Sequence, residues 1–114
     1  MTGLSSLENR HCVACDGATK PLTAIDAQQL QAQLASGWEL DDAAIELRQT
    51  FRFNDFYSTM AFVNALAWIA HQQDHHPDLE VGYNRCVVRY STHSIAGLSE
   101  NDFICAAKID ALVR

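Results

Sequence analysis

From Ile45 to Phe53 the chain alternates, with Ile45, Leu47, Gln49, Phe51 and Phe53 set against Glu46, Arg48, Thr50 and Arg52. A period of two marks a strand with one buried and one solvated face. With Trp38 and Leu40 ahead of an Asp41-Asp42 turn, it predicts a hairpin. The period then lengthens: Phe56, Met60, Val63, Ala67 and Ala70 recur at helical spacing, and Asn54 or Asp55 can cap the segment, which predicts a helix from Phe56 to about Gln73. Phe62, Leu66 and Ile69 widen its apolar surface, so this helix is expected to be buried on two sides, one facing the sheet and the other a second subunit.

The flanking segments complete the pattern. Thr23 with Asp26 resembles a capping arrangement, Ile25, Leu30 and Leu34 form one stripe, and Gly37 offers a stop, which predicts a short first helix. Pro77 cannot continue the long helix and biases His76 towards extended backbone. Val81 and Tyr83 precede a strand in which Cys86, Val88 and Tyr90 alternate with Arg85, Val87 and Arg89. Ser99 to Asp102 reads as a capping-box start for a last helix running towards Val113. The order α-β-β-α-β-β-α predicts an α+β fold, a four-stranded antiparallel sheet with helices packed on one face. It occupies residues 21–114 as a single domain, preceded by an irregular polar arm over residues 1–20 that carries Cys12 and Cys15.

Composition narrows the function classes. A chain of 114 residues, 48% hydrophobic, is enough for one core. The net charge of -6 argues against direct binding to nucleic acid and to an anionic membrane surface. No apolar run approaches the roughly 20 residues that span a bilayer, and the first six residues lack a basic stretch followed by an apolar one, so the expected location is cytoplasmic. In a reducing compartment Cys86 and Cys105 read as small core residues. Cys12 and Cys15, with His11 beside them, make half of a zinc site, and no second pair exists in the chain. A functionally neutral arm, a metal site between subunits and a redox role all stay open.

The candidate chemistry lies in Asp74-His75-His76-Pro77 and in Ser91-Thr92-His93, which place three of the five histidines within nineteen residues. Histidine titrates near neutrality, so the cluster suggests proton transfer. Neighbours on extended backbone point to opposite sides, so His75 and His76 share a pocket only if turn geometry rotates one of them. A hairpin can return His93 towards either. Exposed loop histidines are the plain alternative, and zinc held by three histidines is another, although no i, i+4 spacing supports it. Asp102, third in its helix, reads first as a capping carboxylate, and Tyr83 and Tyr90 as sheet packing.

The series Asp74-His75-His76-Pro77, Tyr83-Asn84, Ser91-Thr92-His93 and Ala96-Gly97-Leu98-Ser99 with Asp102 resembles the pterin-4a-carbinolamine dehydratase family. The likeness extends more loosely to Gly37-Trp38, Phe51-Arg52-Phe53 with Phe56, and Ala61-Phe62, covering about residues 22–112. The resemblance implies dehydration of 4a-hydroxytetrahydrobiopterin or a related pterin to the quinonoid dihydropterin, without metal or organic cofactor. It implies His75 and His93 as the acid-base pair, and His76 as the third histidine of the catalytic set, binding and orienting the pterin. Asp74, Pro77, Ser91, Thr92, Ser94 and Asp102 would line or support the substrate site. It further implies recycling for an aromatic amino acid hydroxylase, phenylalanine hydroxylase in bacterial relatives with a similar arm, and a homodimer or homotetramer built through the second helix. An interaction module of the dimerisation-cofactor or transcriptional-coactivator type is the alternative function. Two positions depart from the family pattern: His71 stands where many relatives carry glutamate, four residues before His75, and Ser94 stands where glutamate often follows the Thr-His pair.

Overall fold

The structure is a computed structural model that describes residues 6–114. Residues 1–5, the first part of the expected irregular arm, lie outside the described residues. The elements are α1 (Ala24–Gln31), β1 (Glu39–Leu40), β2 (Leu47–Arg52), α2 (Phe56–Gln73), β3 (Asp78–Val81), β4 (Arg85–Tyr90) and α3 (Glu100–Val113), with 3-10 turns at Leu7–Asn9 and His93–Ile95. The expected α-β-β-α-β-β-α order holds, and the four strands form one antiparallel sheet ordered β1-β2-β4-β3. β4 is therefore central, pairing Leu47 with Tyr90 and Phe51 with Cys86 on one side and β3 on the other. Its Cys86, Val88 and Tyr90 are fully buried and join Leu47, Phe51, Phe62, Leu66 and the inward residues of α3 in one core. No described helix is long and apolar enough to cross a membrane.

α2 runs between the expected limits, and of its two candidate caps Asp55 does the work, accepting from the Ser58 N–H at 2.7 Å. Its inward face is not the stripe that begins at Phe56. Thr59, Phe62 and Leu66 are the buried residues, whereas Phe56 is 50% exposed. Phe62 fixes that rotation by packing 4.8 Å from Phe51 and 5.1 Å from Phe53, ring centre to ring centre. Thr59 tolerates burial because its hydroxyl lies 2.9 Å from the carbonyls of both Asp55 and Tyr83.

The helix covered on most sides within the chain is α3, with nine of its fourteen residues buried. The sheet and α2 cover one part of it, and the segment before α1 covers another. Leu7 inserts into the core at 3% exposure, and the Glu8 carbonyl accepts from Lys108 Nζ at 2.7 Å. Cys12 N–H donates to Gln73 Oε1 at 2.8 Å, and Val13 N–H donates to Asn101 Oδ1 at 3.0 Å. A polar, aperiodic segment is thus held by side chains that satisfy its backbone groups singly.

Two local expectations are corrected. α1 is capped by Thr23 as expected, but it ends at Gln31 and buries Ala27, leaving Ile25 67% exposed. Gly37 sits instead in the turn before β1 with φ +111°, where the Gln49 side chain fills the space a Cβ would need. Ile45 also leaves the strand, because Asp41 Oδ1 accepts from the N–H groups of Ile45 and Glu46 and delays β2 to Leu47.

If Leu7 is a core residue, Leu7→Ala should lower the unfolding free energy by about 2–3 kcal/mol in urea titrations. An unchanged free energy would mean that the arm contributes nothing to folding.

Candidate active site

α2 ends in a way that delivers two histidines to one place. Asp74 adopts the left-handed conformation (φ 51°, ψ 42°), its N–H reaching the His71 carbonyl at 3.3 Å while His75 N–H reaches Ala70 O at 3.1 Å. This is the paired closure of a helix C-terminus that usually employs glycine, and aspartate is among the few other residues that tolerate it. Beyond this turn His75 and His76, although neighbours in the chain, both line the same cavity. Pro77 then directs the chain into β3.

His93 arrives from β4. Beyond Tyr90 the chain forms an antiparallel bridge between Thr92 and Gly97, which encloses the His93–Ile95 turn. Ile95 is buried and pins that turn. Gly97 is required because a Cβ there would meet Pro21 Cβ at 2.7 Å. His93 is exposed, its ring centre 6.5 Å from that of His76 at an edge-on angle of 68°, with its Nε2 4.0 Å from Asp78 Oδ2.

His75 is the enclosed histidine, its side chain 13% exposed. Its Nε2 lies 2.6 Å from Asp102 Oδ1, and its ring stacks almost parallel on Tyr90, 5.7 Å away. Asp102 Oδ2 accepts from Thr92 Oγ1 at 2.8 Å and from the Ser99 N–H at 3.0 Å. Since the Thr92 proton goes to the carboxylate, the Ser99 hydroxyl at 2.7 Å donates to Thr92. Asp102 therefore serves both as the expected cap of α3 and as the partner of His75. Burial pulls the His75 pKa down, but the Asp102 hydrogen bond and charge, joined by Cys12 and Asp74, outweigh it and hold the imidazole above its ordinary value.

A cavity of about 260 Å³ collects these groups. Of the residues expected from sequence, Asp74, His75, His76, Ser91, Thr92, His93 and Ser94 line it, while Asp102 acts on it through His75 and Pro77, between α2 and β3, is not among the lining residues. Val13, Ala14, Cys15 and Asn101 also line it and were not anticipated. Asn101 adjoins a recognised residue, but nothing in a polar arm some sixty residues from His75 announces that it walls the site. Ser94 ties the two halves together, its hydroxyl donating to the Cys15 carbonyl at 3.3 Å. His71 faces elsewhere, stacked on Trp68 at 5.8 Å. Among the described residues no three His, Cys, Asp or Glu side chains converge as metal ligands, and His75 is committed to Asp102.

The sequence profile described as "Pterin 4 alpha carbinolamine dehydratase" matches residues 20–112. A curated protein of Nitrosomonas eutropha, named "Putative pterin-4-alpha-carbinolamine dehydratase", is 55% identical over 113 residues, covering 99% of this chain and 98% of its own. A crystal structure of a transcriptional coactivator/pterin dehydratase from Brucella melitensis superposes with a TM-score of 0.78 at 32% identity, covering 83% of this chain and 100% of that one. A pterin dehydratase-like protein described as a RuBisCO assembly factor in the alpha-carboxysome gives a TM-score of 0.58 at 26% identity, covering 67% of this chain and 88% of its own. The chain belongs to the pterin-4a-carbinolamine dehydratase family.

A raised folded pKa means that the protonated His75 is favoured in the native state. The stabilisation is complete below the unfolded value near 6.5 and is lost as pH rises through the higher folded value. Urea titrations across that window should show wild type exceeding His75→Gln most on the acidic side, with the gap closing towards alkaline pH.

Proposed function

We propose that this cavity dehydrates a 4a-hydroxytetrahydropterin, 4a-hydroxytetrahydrobiopterin or a close relative, to the quinonoid dihydropterin and water. The observation that carries the reading is the meeting of His75, His76 and His93 at one cavity with His75 held by a buried carboxylate; family membership supports the reaction type. The reaction breaks the C4a–O bond, so the departing hydroxyl must gain a proton, and it removes the proton from N5. His75, whose Nε2 is committed to Asp102 and whose proton affinity that carboxylate raises, supplies a proton through Nδ1 to the hydroxyl. His93 accepts the N5 proton, and His76 opposite it orients the ring. Asp74 offers an acceptor to the N–H edge of the pterin, while Ser91, Thr92 and Ser94 complete a polar wall.

A substrate of this kind is released by pterin-dependent hydroxylation, so the functional partner is an aromatic amino acid hydroxylase, phenylalanine hydroxylase in this reading. The four free cysteines suit a cytoplasmic setting. The interaction-module alternative draws on the outward side of α2, where Phe56, Tyr57 and Trp68 are exposed and Tyr83 stacks on Phe56 at 6.5 Å. We assign that face to self-association, as a homodimer or homotetramer.

Purified protein should accelerate the decay of a 4a-hydroxytetrahydropterin, and His75→Ala and His93→Ala should each slow it about a hundredfold or more. Wild-type rates in both folded variants would sink the assignment. Light scattering at micromolar concentration should give a dimer or tetramer; a monomer at all concentrations would count against the α2 interface.

A further inference from the structure

The Cys-x-x-Cys pair of the arm suggests that Cys12 and Cys15 are partners, yet the structure divides them. Cys15 Sγ sits 3.5 Å from Asn101 Nδ2, at the rim of the cavity. Cys12 Sγ lies 3.5 Å from the sulfur of Cys105 on α3, 93 positions along the chain. Cys105 is fully buried and packs near the His75 carbonyl, at 4.0 Å. Cys12 is only half-buried, so it can be reached from solvent. A disulfide needs the sulfurs at about 2.0 Å, so an approach of roughly 1.5 Å by the arm suffices.

We propose that Cys12 and Cys105 form a site of two-electron oxidation by hydroperoxides, closing a disulfide that fastens the N-terminal arm to α3 directly behind His75. The Cys12 thiolate attacks the peroxide oxygen, the O–O bond breaks, and the alkoxide or hydroxide that leaves takes a proton from water. Cys12 is then a sulfenic acid, oxidised by two electrons. The Cys105 sulfur attacks it, the S–S bond forms as the S–O bond breaks, and the leaving hydroxide takes the Cys105 proton to give water.

Exposure assigns the roles, since a peroxide reaches Cys12 and not Cys105. Electrostatics agrees: the Cys105 hydrogen bond holds the Cys12 thiol below its ordinary pKa, and His75 and Lys108 assist against burial. Cys105 is pushed up by its bond to Cys12 and by burial. Because Val13, Ala14 and Cys15 form one wall of the cavity, the bond at Cys12 fixes that wall in place.

The test is non-reducing peptide mapping of the full chain after stoichiometric hydrogen peroxide, in wild type and Cys15→Ser. An intramolecular Cys12–Cys105 link is expected in both. In Cys15→Ser/Cys105→Ala the same treatment should leave Cys12 as a sulfenic acid trapped by dimedone. Closing so long a loop should raise the unfolding midpoint by about 10 °C or more, reversibly with dithiothreitol. A Cys12–Cys15 link in wild type, a link between chains, or no Cys12–Cys105 link in folded Cys15→Ser would overturn the proposal. So would an oxidised protein that melts where the reduced one does.

Discussion

The carboxylate of Asp102 is fully buried, and each of its oxygens has a separate task. Oδ1 holds His75, while Oδ2 takes the Thr92 hydroxyl and the first open amide of α3. A buried carboxylate is costly without partners, and hydrogen bonds to an ionised group contribute roughly 1.5–3 kcal/mol each. The group therefore draws together three parts of the chain: the end of α2, the loop after β4 and the start of α3. Folding and site formation meet in the same interaction, because the cap that starts α3 also orients the imidazole.

The sheet order explains why those three parts can meet. β4 lies at the centre, and its last residue, Tyr90, packs into the core while its ring supports His75. The chain leaves β4 beside the C-terminus of α2, so His93 emerges opposite His76 without a long connection. The Thr92–Gly97 bridge, the Gly97–Pro21 contact and buried Ile95 make that short loop a fixed support. One histidine is consequently enclosed and tethered, and the other two stand at the mouth.

Much of this was legible in the chain. Alternation in β2 and β4, the limits of α2 and the capping box of α3 each depend on local pattern, and each is found where the pattern puts it except at the start of β2, which the Asp41 turn delays to Leu47. What depends on packing between elements was not legible. α2 carries two overlapping apolar stripes, and only the contact of Phe62 with Phe51 and Phe53 selects one. That His75 and His76 line one cavity was not legible either, because neighbours on extended backbone point to opposite sides. The double use of Asp102 was hidden because capping alone accounts for an aspartate there. The arm was the least legible part, since Leu7, Cys12 and Val13 are placed by individual hydrogen bonds and one buried side chain rather than by any period.

The central claim is that Asp102 sets both the position and the proton affinity of His75. The most direct measurement is an NMR titration of the His75 imidazole in wild type and in Asp102→Asn, an amide of the same shape without the charge. The account predicts a wild-type midpoint above 6.5 that falls in the variant. Equal His75 midpoints in the two proteins would contradict it.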